Sequence, residues 1–421
     1  MHYFRKLASL GNLGFRASTL VLRFLLSFYI VKFLGYEATG VYGLTIGAIG
    51  ITPALLGWGL NYFVSREIVG KTQVFVASRM KTRLLVTTIS LAVATVIGLL
   101  VSFAIGFPVT FLHGLIIALL WLETYGLDIH LPLISAEMPL QANMIVFLRS
   151  AFWVPFAIGV GIAFPALRSL DVLFMFWIGS YVLAAAALVY FLRDWPIRQA
   201  FLGPFQYDWL KERLRYSWHI YGSDLSIVGL AYADRYIVSY LLGLTLTGIY
   251  TFFWSIGNAL QTLMQTAVIQ LALPRLFRAS KQGSANEWQV IFRRELGRTI
   301  LFASLLGIGI FIAAEILISS MSMSDLGQHR GLFVLLLCAA IVRSCSDLLN
   351  IGLSSLEKDK HYAAINILGV CMSICIAGIS IYIMGLIGTG VAALLTALLL
   401  MMIRLFVITR SSSNRSSLSA P

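Results

Sequence analysis

Five arginines lie inside long apolar stretches of the chain, at Arg16, Arg23, Arg149, Arg235 and Arg343. Placing a guanidinium at the centre of a bilayer costs roughly 2.5–3.5 kcal/mol on insertion scales, so such residues usually face a bundle interior or a water-filled cavity. A guanidinium holds phosphate or carboxylate oxygens through paired hydrogen bonds. We therefore take all five as candidate ligands of an anionic substrate.

Arg16 and Arg23 are seven residues apart on the first apolar stretch. On a helix this spacing puts them on one face, about 10 Å apart along the axis. Neither has an acid three or four positions away, so the pair lacks local neutralisation. Such a pair suits a diphosphate or an acidic sugar. For Arg16, extension of the side chain to cytoplasmic lipid headgroups is the alternative.

Two further groups combine a cation with an acid. Asp234 and Arg235 are adjacent on the seventh apolar stretch, where they either bind substrate or form a salt bridge between two halves of the protein. On the tenth stretch, Arg343 and Asp347 begin a polar stripe at helical spacing. That pair either contacts substrate or neutralises itself.

Amides and acids complete the set of candidates. Asn258, Gln261 and Gln265 form a stripe on the eighth stretch that suits sugar hydroxyls or hydrogen bonds between helices. Three acids are candidates for binding a coupling proton or sodium ion: Glu123, Asp128 and Asp224. His130 lies on the same helix side as Glu123, and a satisfied buried histidine is the alternative interpretation of that residue.

The elements that carry these residues are predicted to span a membrane. The 421 residues have a mean hydropathy of +0.87, with 59% hydrophobic and 12% charged residues, against roughly 25% charged residues in soluble domains. Apolar segments long enough to cross about 30 Å of hydrocarbon recur along the chain. The predicted spans are 10–33, 38–64, 84–106, 110–135, 143–165, 172–192, 217–241, 246–272, 299–319, 330–354, 362–384 and 386–408.

The basic residues between the spans give an orientation. With the N-terminus in the cytoplasm, 23 of the 31 Lys and Arg residues fall on the cytoplasmic side and three fall on the other side. This asymmetry follows the positive-inside rule and predicts that both termini are cytoplasmic. The excess of basic residues indicates topology and anionic headgroups rather than nucleic acid.

An internal repeat predicts two lobes. Residues 34–42 and 242–250 share five of nine identities at about half the chain length, and each copy joins the first helix of a lobe to the second. We therefore predict an all-α fold of two pseudo-symmetric six-helix lobes around a central cavity, with parallel repeats. Generic turn glycines are the alternative. The predicted domains are an N-terminal lobe (1–192), an amphipathic cytoplasmic linker (193–216), a C-terminal lobe (217–408) and a disordered tail (409–421).

The sequence contains none of the common motifs of ATP hydrolysis, nucleophilic catalysis or zinc binding. The chain has no Walker A sequence, nucleophile elbow or zinc-binding spacing, so neither an enzyme nor a cofactor is predicted. Four cysteines lie within predicted spans, where they suit packing rather than disulfides: Cys338, Cys345, Cys371 and Cys375.

Short runs along the chain resemble one transporter family. They are residues 14–16, 33–35, 40–42, 232–238, 242–243, 248–250, 273–276 and 356–358 with Asn366. The run Tyr-Ala-Asp-Arg-Tyr-Ile-Val at 232–238 is the strongest. These runs resemble polysaccharide flippases of the multidrug/oligosaccharidyl-lipid/polysaccharide exporter superfamily, including the Wzx-type O-antigen flippases.

The resemblance implies alternating-access transport of undecaprenyl-diphosphate-linked oligosaccharides from the cytoplasmic to the periplasmic leaflet of a bacterial inner membrane. It also implies cavity arginines on the first and seventh helices, where Arg16, Arg23 and Arg235 stand. A polysaccharide polymerase and a chain-length regulator are the protein partners it suggests. Twelve spans differ from the fourteen usual for lipid II flippases. A cation-coupled multidrug antiporter and a membrane glycan polymerase or ligase are the competing hypotheses.

Overall fold

The computed structural model describes residues 2–282, 285–320, 324–356 and 359–418. Within those ranges the ordered elements are all helical. The helices are α1 (His2–Tyr29), α2 (Gly35–Leu55), α3 (Leu60–Glu67), α4 (Gln73–Ala104), α5 (Phe111–Ser135), α6 (Pro139–Phe147), α7 (Val154–Ala163), α8 (Leu170–Phe191), α9 (Ile197–Leu202), α10 (Tyr207–Tyr216), α11 (Trp218–Leu242), α12 (Leu244–Met264), α13 (Gln270–Gln282), α14 (Ala285–Ser320), α15 (Ser324–Gln328), α16 (Arg330–Ser355), α17 (Asp359–Met384) and α18 (Leu386–Leu418).

Short irregular turns join some of these helices. Single turns of π-helix lie at Ile30–Leu34, Leu148–Phe152 and Gln265–Ile269, and a 3₁₀ turn lies at Pro165–Leu167. A π-turn inserts one residue into the helical ladder, and such turns are frequent at functional sites. Two of the three turns here lie beside candidate residues, at Arg149 and Gln265.

The helices form a multi-pass membrane protein. Ten helical runs are long and apolar enough to cross a membrane. One run, Gly14–Leu55, has 42 residues, and its length of roughly 63 Å is enough for two crossings. Gly35, at φ 88°, interrupts it between the first and second predicted spans. The eighth predicted span corresponds to α12, the following π-turn and the start of α13, which are less apolar because Asn258 and Gln261 lie there.

The chain divides into two compact units. The first comprises Met1–Leu34 and Leu44–Val228, and the second comprises Gly35–Gly43 and Gly229–Pro421. Helices α2 and α11 therefore each contribute residues to both units. The predicted fold class, an all-α membrane protein with about twelve spans in two pseudo-symmetric lobes, is confirmed.

Both copies of the repeat adopt the same local structure. Gly35 and Gly243 both have positive φ values, 88° and 83°, which glycine adopts readily because it has no Cβ atom. A helix follows each glycine, and the side chains of Thr39 and Thr247 donate to the carbonyls of these glycines at 2.8 and 2.7 Å. The two copies thus share a turn, a helix start and a side-chain hydrogen bond.

The two copies also pack directly on each other within the second unit. A Cβ atom added to Gly40 would lie 2.3 Å from the Leu244 carbonyl oxygen. One added to Gly248, the equivalent residue, would lie 1.9 Å from the Tyr36 carbonyl oxygen. Only glycine permits this backbone approach, which is typical of membrane helix interfaces.

The segment between the predicted lobes is anchored on the first unit by Glu67 of α3. Its carboxylate accepts from Trp209 Nε1 and Arg213 Nε of α10, both at 2.7 Å. Arg79 of α4 lies 3.4 Å from the same carboxylate, and its guanidinium lies 4.5 Å from the centre of the Trp209 ring. An apolar cluster of α3, α4 and α10 residues lies beneath: Leu60, Val64, Ile68, Val76 and Trp209.

Several helices are longer than their predicted spans. α4 begins at Gln73 and α14 at Ala285, about ten residues or more before the predicted apolar starts. α18 continues to Leu418, so residues 411–418 are helical where a disordered tail was predicted. No glycine or proline stands between Leu405 and Leu418, so nothing local interrupts the hydrogen-bonded ladder. Residues 419–421 lie outside the described residues.

Candidate functional site

The strongest candidate site lies in the second unit and centres on Arg235 of α11. Its side chain is fully buried. Nη1 donates to the Gly43 carbonyl oxygen at 3.2 Å, and the guanidinium carbon lies 3.6 Å from the centre of the Trp254 ring. Such cation–π contacts are worth about 2 kcal/mol when desolvated. The backbone of α2 and the indole of α12 therefore fix the group in place.

The other two nitrogens of Arg235, Nε and Nη2, have no hydrogen-bond partner among the described residues. Together they form the side edge of the guanidinium, the edge that holds two oxygens of one phosphate or carboxylate. An orphaned buried charge is costly, and the usual remedy is a bound counter-ion or a paired acid. Here the structure supplies a fixed bidentate donor edge and, within the described ranges, no protein acceptor for it.

Asp234 does not serve as that acid. Its Oδ2 accepts from the hydroxyl of Tyr250, and its Oδ1 accepts from the backbone N–H of Arg235 at 2.8 Å. Adjacent helix positions point about 100° apart, because a turn holds 3.6 residues. Asp234 and Arg235 therefore contact different side chains. Neither forms a salt bridge with another described residue.

Arg343 of α16 is a second unpaired cation in this unit. The described residues give its side chain neither a hydrogen bond nor an ion pair, although it lies within electrostatic range of Asp234 and Tyr250. Among the described residues Arg343 forms no ion pair with Asp347. Asp347 instead accepts from Gln261 Nε2 at 3.1 Å and lies 3.9 Å from Arg404 Nη1.

Arg404 of α18, which the charge count placed with the cytoplasmic cations, is buried inside the second unit. Its Nη1 donates to the carbonyl and hydroxyl oxygens of Ser346 at 2.9 and 2.7 Å, and its Nη2 donates to Asn366 Oδ1 at 2.8 Å. Arg404 lies within the predicted span 386–408, and polar partners on α16 and α17 satisfy its guanidinium there. Arg404 therefore braces α16, α17 and α18 together.

In the first unit, Arg23 of α1 is exposed and has no acidic partner among the described residues. Its Nε donates to the Ser150 carbonyl oxygen at 3.3 Å, in the π-turn between α6 and α7. This bond leaves the two terminal nitrogens accessible. Arg16 is partly exposed, two turns earlier on the same helix. Arg23 thus remains suited to an external anion.

Arg149 and Glu123, predicted for separate roles, form one buried ion pair. Their side chains are 5% and 4% exposed. Glu123 also accepts from Trp177 Nε1 at 3.0 Å, and Arg149 also donates to the Tyr181 hydroxyl at 3.2 Å. This network ties α5, α8 and the π-turn together, and it gives both residues a structural role.

Asp128 belongs to a second buried pair. Arg83 Nη2 of α4 lies 2.7 Å from its Oδ1, Asn61 Nδ2 donates to the same oxygen at 2.9 Å, and Thr87 donates to Oδ2. Arg83 is one of the cytoplasmic-side cations of the charge count and lies just outside the predicted span 84–106. It lies about three turns inside α4 and is fully buried.

The remaining candidates differ in surroundings. Asp224 of α11 is partly buried and makes no hydrogen bond or ion pair with other described residues. Asn258 and Gln265 are exposed, whereas Gln261 is held by Asp347. Sequence reasoning missed Tyr250, Trp254 and Gly43. Of these, only Tyr250 could have been singled out from the sequence, because it is the last residue of the repeat at 242–250.

Solved structures of membrane transporters share this fold. An inward-facing multidrug resistance MATE family transporter of the MOP superfamily matches with a TM-score of 0.73 at 15% identity, covering 96% of both chains. The lipid II flippase MurJ, in an inward closed conformation, matches with a TM-score of 0.72 at 11% identity, covering 97% of this chain and 90% of MurJ. An outward-facing MATE transporter gives a TM-score of 0.57 at 14% identity, covering 97% of both chains.

No protein-family model matches the chain, and no curated protein sequence matches it. At these low identities the structural likeness establishes the fold. The chain therefore has the fold of these MATE transporters and of MurJ, and its substrate is argued from its own residues.

Proposed function

We propose that this protein is a flippase. It moves an undecaprenyl-diphosphate-linked oligosaccharide from the cytoplasmic to the periplasmic leaflet of a bacterial inner membrane by alternating access, in the synthesis of O-antigen, capsule or exopolysaccharide. The observation that carries the proposal is Arg235, a fully buried cation on a membrane helix with a bidentate edge that lacks a partner among the described residues. A diphosphate would satisfy that edge.

The unpaired cations favour this substrate over the cationic compounds of a multidrug antiporter. In the second unit a cationic drug would meet Arg235 and Arg343, neither of which has an ion-pair partner among the described residues, and like charges in a low-dielectric site repel strongly. A lipid-linked diphosphate carries the opposite charge. The likeness to MATE transporters concerns the fold and leaves this electrostatic argument unchanged.

Residue roles follow from the surroundings of each candidate. Arg23 and Arg16 in the first unit, and Arg235 and Arg343 in the second, would hold phosphate oxygens. The exposed amides Asn258 and Gln265 would contact sugar hydroxyls. Asp224 is the preferred site for a coupling proton or sodium ion, because Glu123 and Asp128 are already neutralised by buried arginines.

In this proposal both termini lie in the cytoplasm, as predicted. A polysaccharide polymerase and a chain-length regulator would be its protein partners, because they act on the same glycan. Collapse of both proton and sodium gradients should then stop transport. Transport that survives both collapses would remove the coupling role of Asp224.

The test is glycan export by Arg235→Ala and Arg23→Ala in a deletion strain, at matched membrane levels. We expect surface glycan to fall at least about tenfold, the change that loss of one charge-assisted contact gives, while lipid-linked precursor accumulates on the cytoplasmic side. Arg330→Ala is the control, since Arg330 is exposed and pairs with Glu315. Full export by both variants would overturn the proposal.

The same strain separates the competing functions. A multidrug antiporter predicts sensitivity to cationic compounds on deletion, with normal glycan. A polymerase or ligase predicts unpolymerised glycan units in the periplasmic leaflet. The flippase predicts units trapped in the cytoplasmic leaflet.

A further inference from the structure

Three arginines of the second unit approach a single buried carboxylate. Glu295 of α14 is 2% exposed, and its Oε1 accepts from Arg275 Nη1 of α13 at 2.9 Å. Arg298 Nη1 and Arg294 Nη2 lie 3.5 and 3.9 Å from the same oxygen. We call these four residues the α13–α14 cluster. Three cations and one anion leave it with an excess of positive charge.

The arginines of this cluster are open to their surroundings. Their side chains are 47% (Arg275), 64% (Arg294) and 49% (Arg298) exposed. Each guanidinium carries five N–H donors, whereas one carboxylate oxygen offers two lone pairs, so most of these donors remain available for a second anion. Arg278 and Arg293 are also exposed, have no acidic partner among the described residues, and add positive charge on the same two helices.

The cluster lies at the depth of lipid headgroups. It directly precedes the apolar stretch 299–319 of α14, whose early residues Ile300 and Leu301 are exposed. On α13, Leu271 is exposed one turn before Arg275. Exposed apolar side chains next to exposed arginines match a boundary between acyl chains and headgroups, and basic clusters at such a boundary attract anionic lipids.

The equivalent place in the first unit is covered by the protein itself. Helices α3 and α4 follow α2 as α13 and α14 follow α12, each after one copy of the repeat. There the pair of Glu67 and Arg79 is covered by α10, whose Trp209 and Arg213 bond the Glu67 carboxylate. No described residue covers the α13–α14 cluster in this way, so its arginines are open to a ligand from outside the chain.

We propose that the α13–α14 cluster binds the phosphate headgroup of an anionic bilayer lipid, for which phosphatidylglycerol is the probe. Guanidinium groups hold phosphate oxygens through paired hydrogen bonds, and the exposed side chains of Leu271 and Ile300 would contact the acyl chains. A soluble phosphate presents the same oxygens without the chains. This site is independent of the substrate that the protein transports.

Removal of the excess charge tests the site. Arg294→Gln with Arg298→Gln leaves Arg275 as the counter-ion of Glu295, so thermal unfolding in a neutral detergent should match that of the wild type. We expect the affinity of the purified full-length protein for phosphatidylglycerol, measured by native mass spectrometry, to fall about tenfold. Binding of phosphatidylcholine should not change. Wild-type affinity for phosphatidylglycerol in this variant would overturn the proposal.

A matched control removes the same charge elsewhere. Arg193 and Arg198 are exposed in the segment between α8 and α10, so Arg193→Gln with Arg198→Gln should keep its affinity for phosphatidylglycerol within about twofold of the wild type. An equal loss in this control would show that binding follows net charge rather than the α13–α14 cluster, and the proposal would be wrong.

Two further measurements define the ligand. Glu295→Gln removes the internal acid, so affinity for phosphatidylglycerol should equal or exceed that of the wild type. Weaker binding by this variant, with unchanged thermal unfolding, would contradict the charge argument. Inorganic phosphate and diphosphate should displace phosphatidylglycerol poorly because they lack acyl chains. If either displaces it as well as phosphatidylglycerol itself does, the cluster is a site for soluble phosphate and the lipid assignment is wrong.

Discussion

At the scale of single residues, the burial of charge separates structural cations from candidate ligands. Arg83 and Arg149 each have a buried acid as partner, whereas Arg23, Arg235 and Arg343 have none among the described residues. The sequence identified four of these five as charges within apolar segments. It did not identify their partners, since Arg83 and Asp128 are 45 residues apart and Arg149 and Glu123 are 26 apart. Such pairing depends on tertiary contacts rather than on local spacing.

Breaking the pair of Arg83 and Asp128 should be costly. Asp128→Asn leaves Arg83 buried without a counter-charge, which typically costs about 3–5 kcal/mol. We expect a large drop in the midpoint of thermal unfolding in detergent. Replacement of both partners by apolar residues, Arg83→Met with Asp128→Leu, should recover most of that loss.

The control for this pair is Asp194→Asn. Asp194 lies 3.5 Å from Arg193 in a pair whose side chains are 86% and 60% exposed, and exposed pairs contribute little. No change in unfolding is expected there. An Asp128→Asn protein as stable as the control would show that the buried pair does not hold α4 and α5 together.

At the scale of elements, close glycine contacts and the contact of α10 with α3 determine how the helices pack within each unit. Apolar segment length located the membrane helices, but helix starts differed by about ten residues or more at α4 and α14. Polar residues outside the bilayer continue a helix when no Gly or Pro interrupts them, and hydropathy does not report this. The packing of the two repeat copies on each other also had no local signal beyond their shared glycines.

Gly248→Ala should disrupt the contact between the repeat copies. The new Cβ atom would lie 1.9 Å from the Tyr36 carbonyl oxygen, so the backbones must separate. We expect a marked loss of folded protein by size-exclusion chromatography and thermal unfolding. Gly98→Ala is the matched control, because nothing lies within 4 Å of its added Cβ, and a helical Gly to Ala change adds up to about 1 kcal/mol of stability.

Glu67→Ala should loosen α10 from α3 in the first unit. The carboxylate bonds Trp209 and Arg213, and its loss leaves both donors unpaired. Limited proteolysis should then cleave within α10, Tyr207–Tyr216, faster than in the wild type. Glu212→Ala is the control, since Glu212 contacts Arg213 while 56% exposed. Equal cleavage in both variants would contradict the anchoring role of Glu67.

At the scale of the whole molecule, the protein joins a transporter fold to an interior that carries unpaired positive charge. Composition, span count and the repeat are sufficient to predict the all-α, two-lobe class. They do not predict that residues 35–43 pack with the second unit, because this depends on how α2 and α12 meet.

The most direct measurement is translocation of an undecaprenyl-diphosphate-linked oligosaccharide in proteoliposomes, for the wild type, Arg235→Ala and Arg330→Ala. We predict rapid transfer to the opposite leaflet by the wild type and by Arg330→Ala, and at least about tenfold slower transfer by Arg235→Ala. Equal rates for all three proteins, or no transfer above that of protein-free vesicles, would contradict the proposed function.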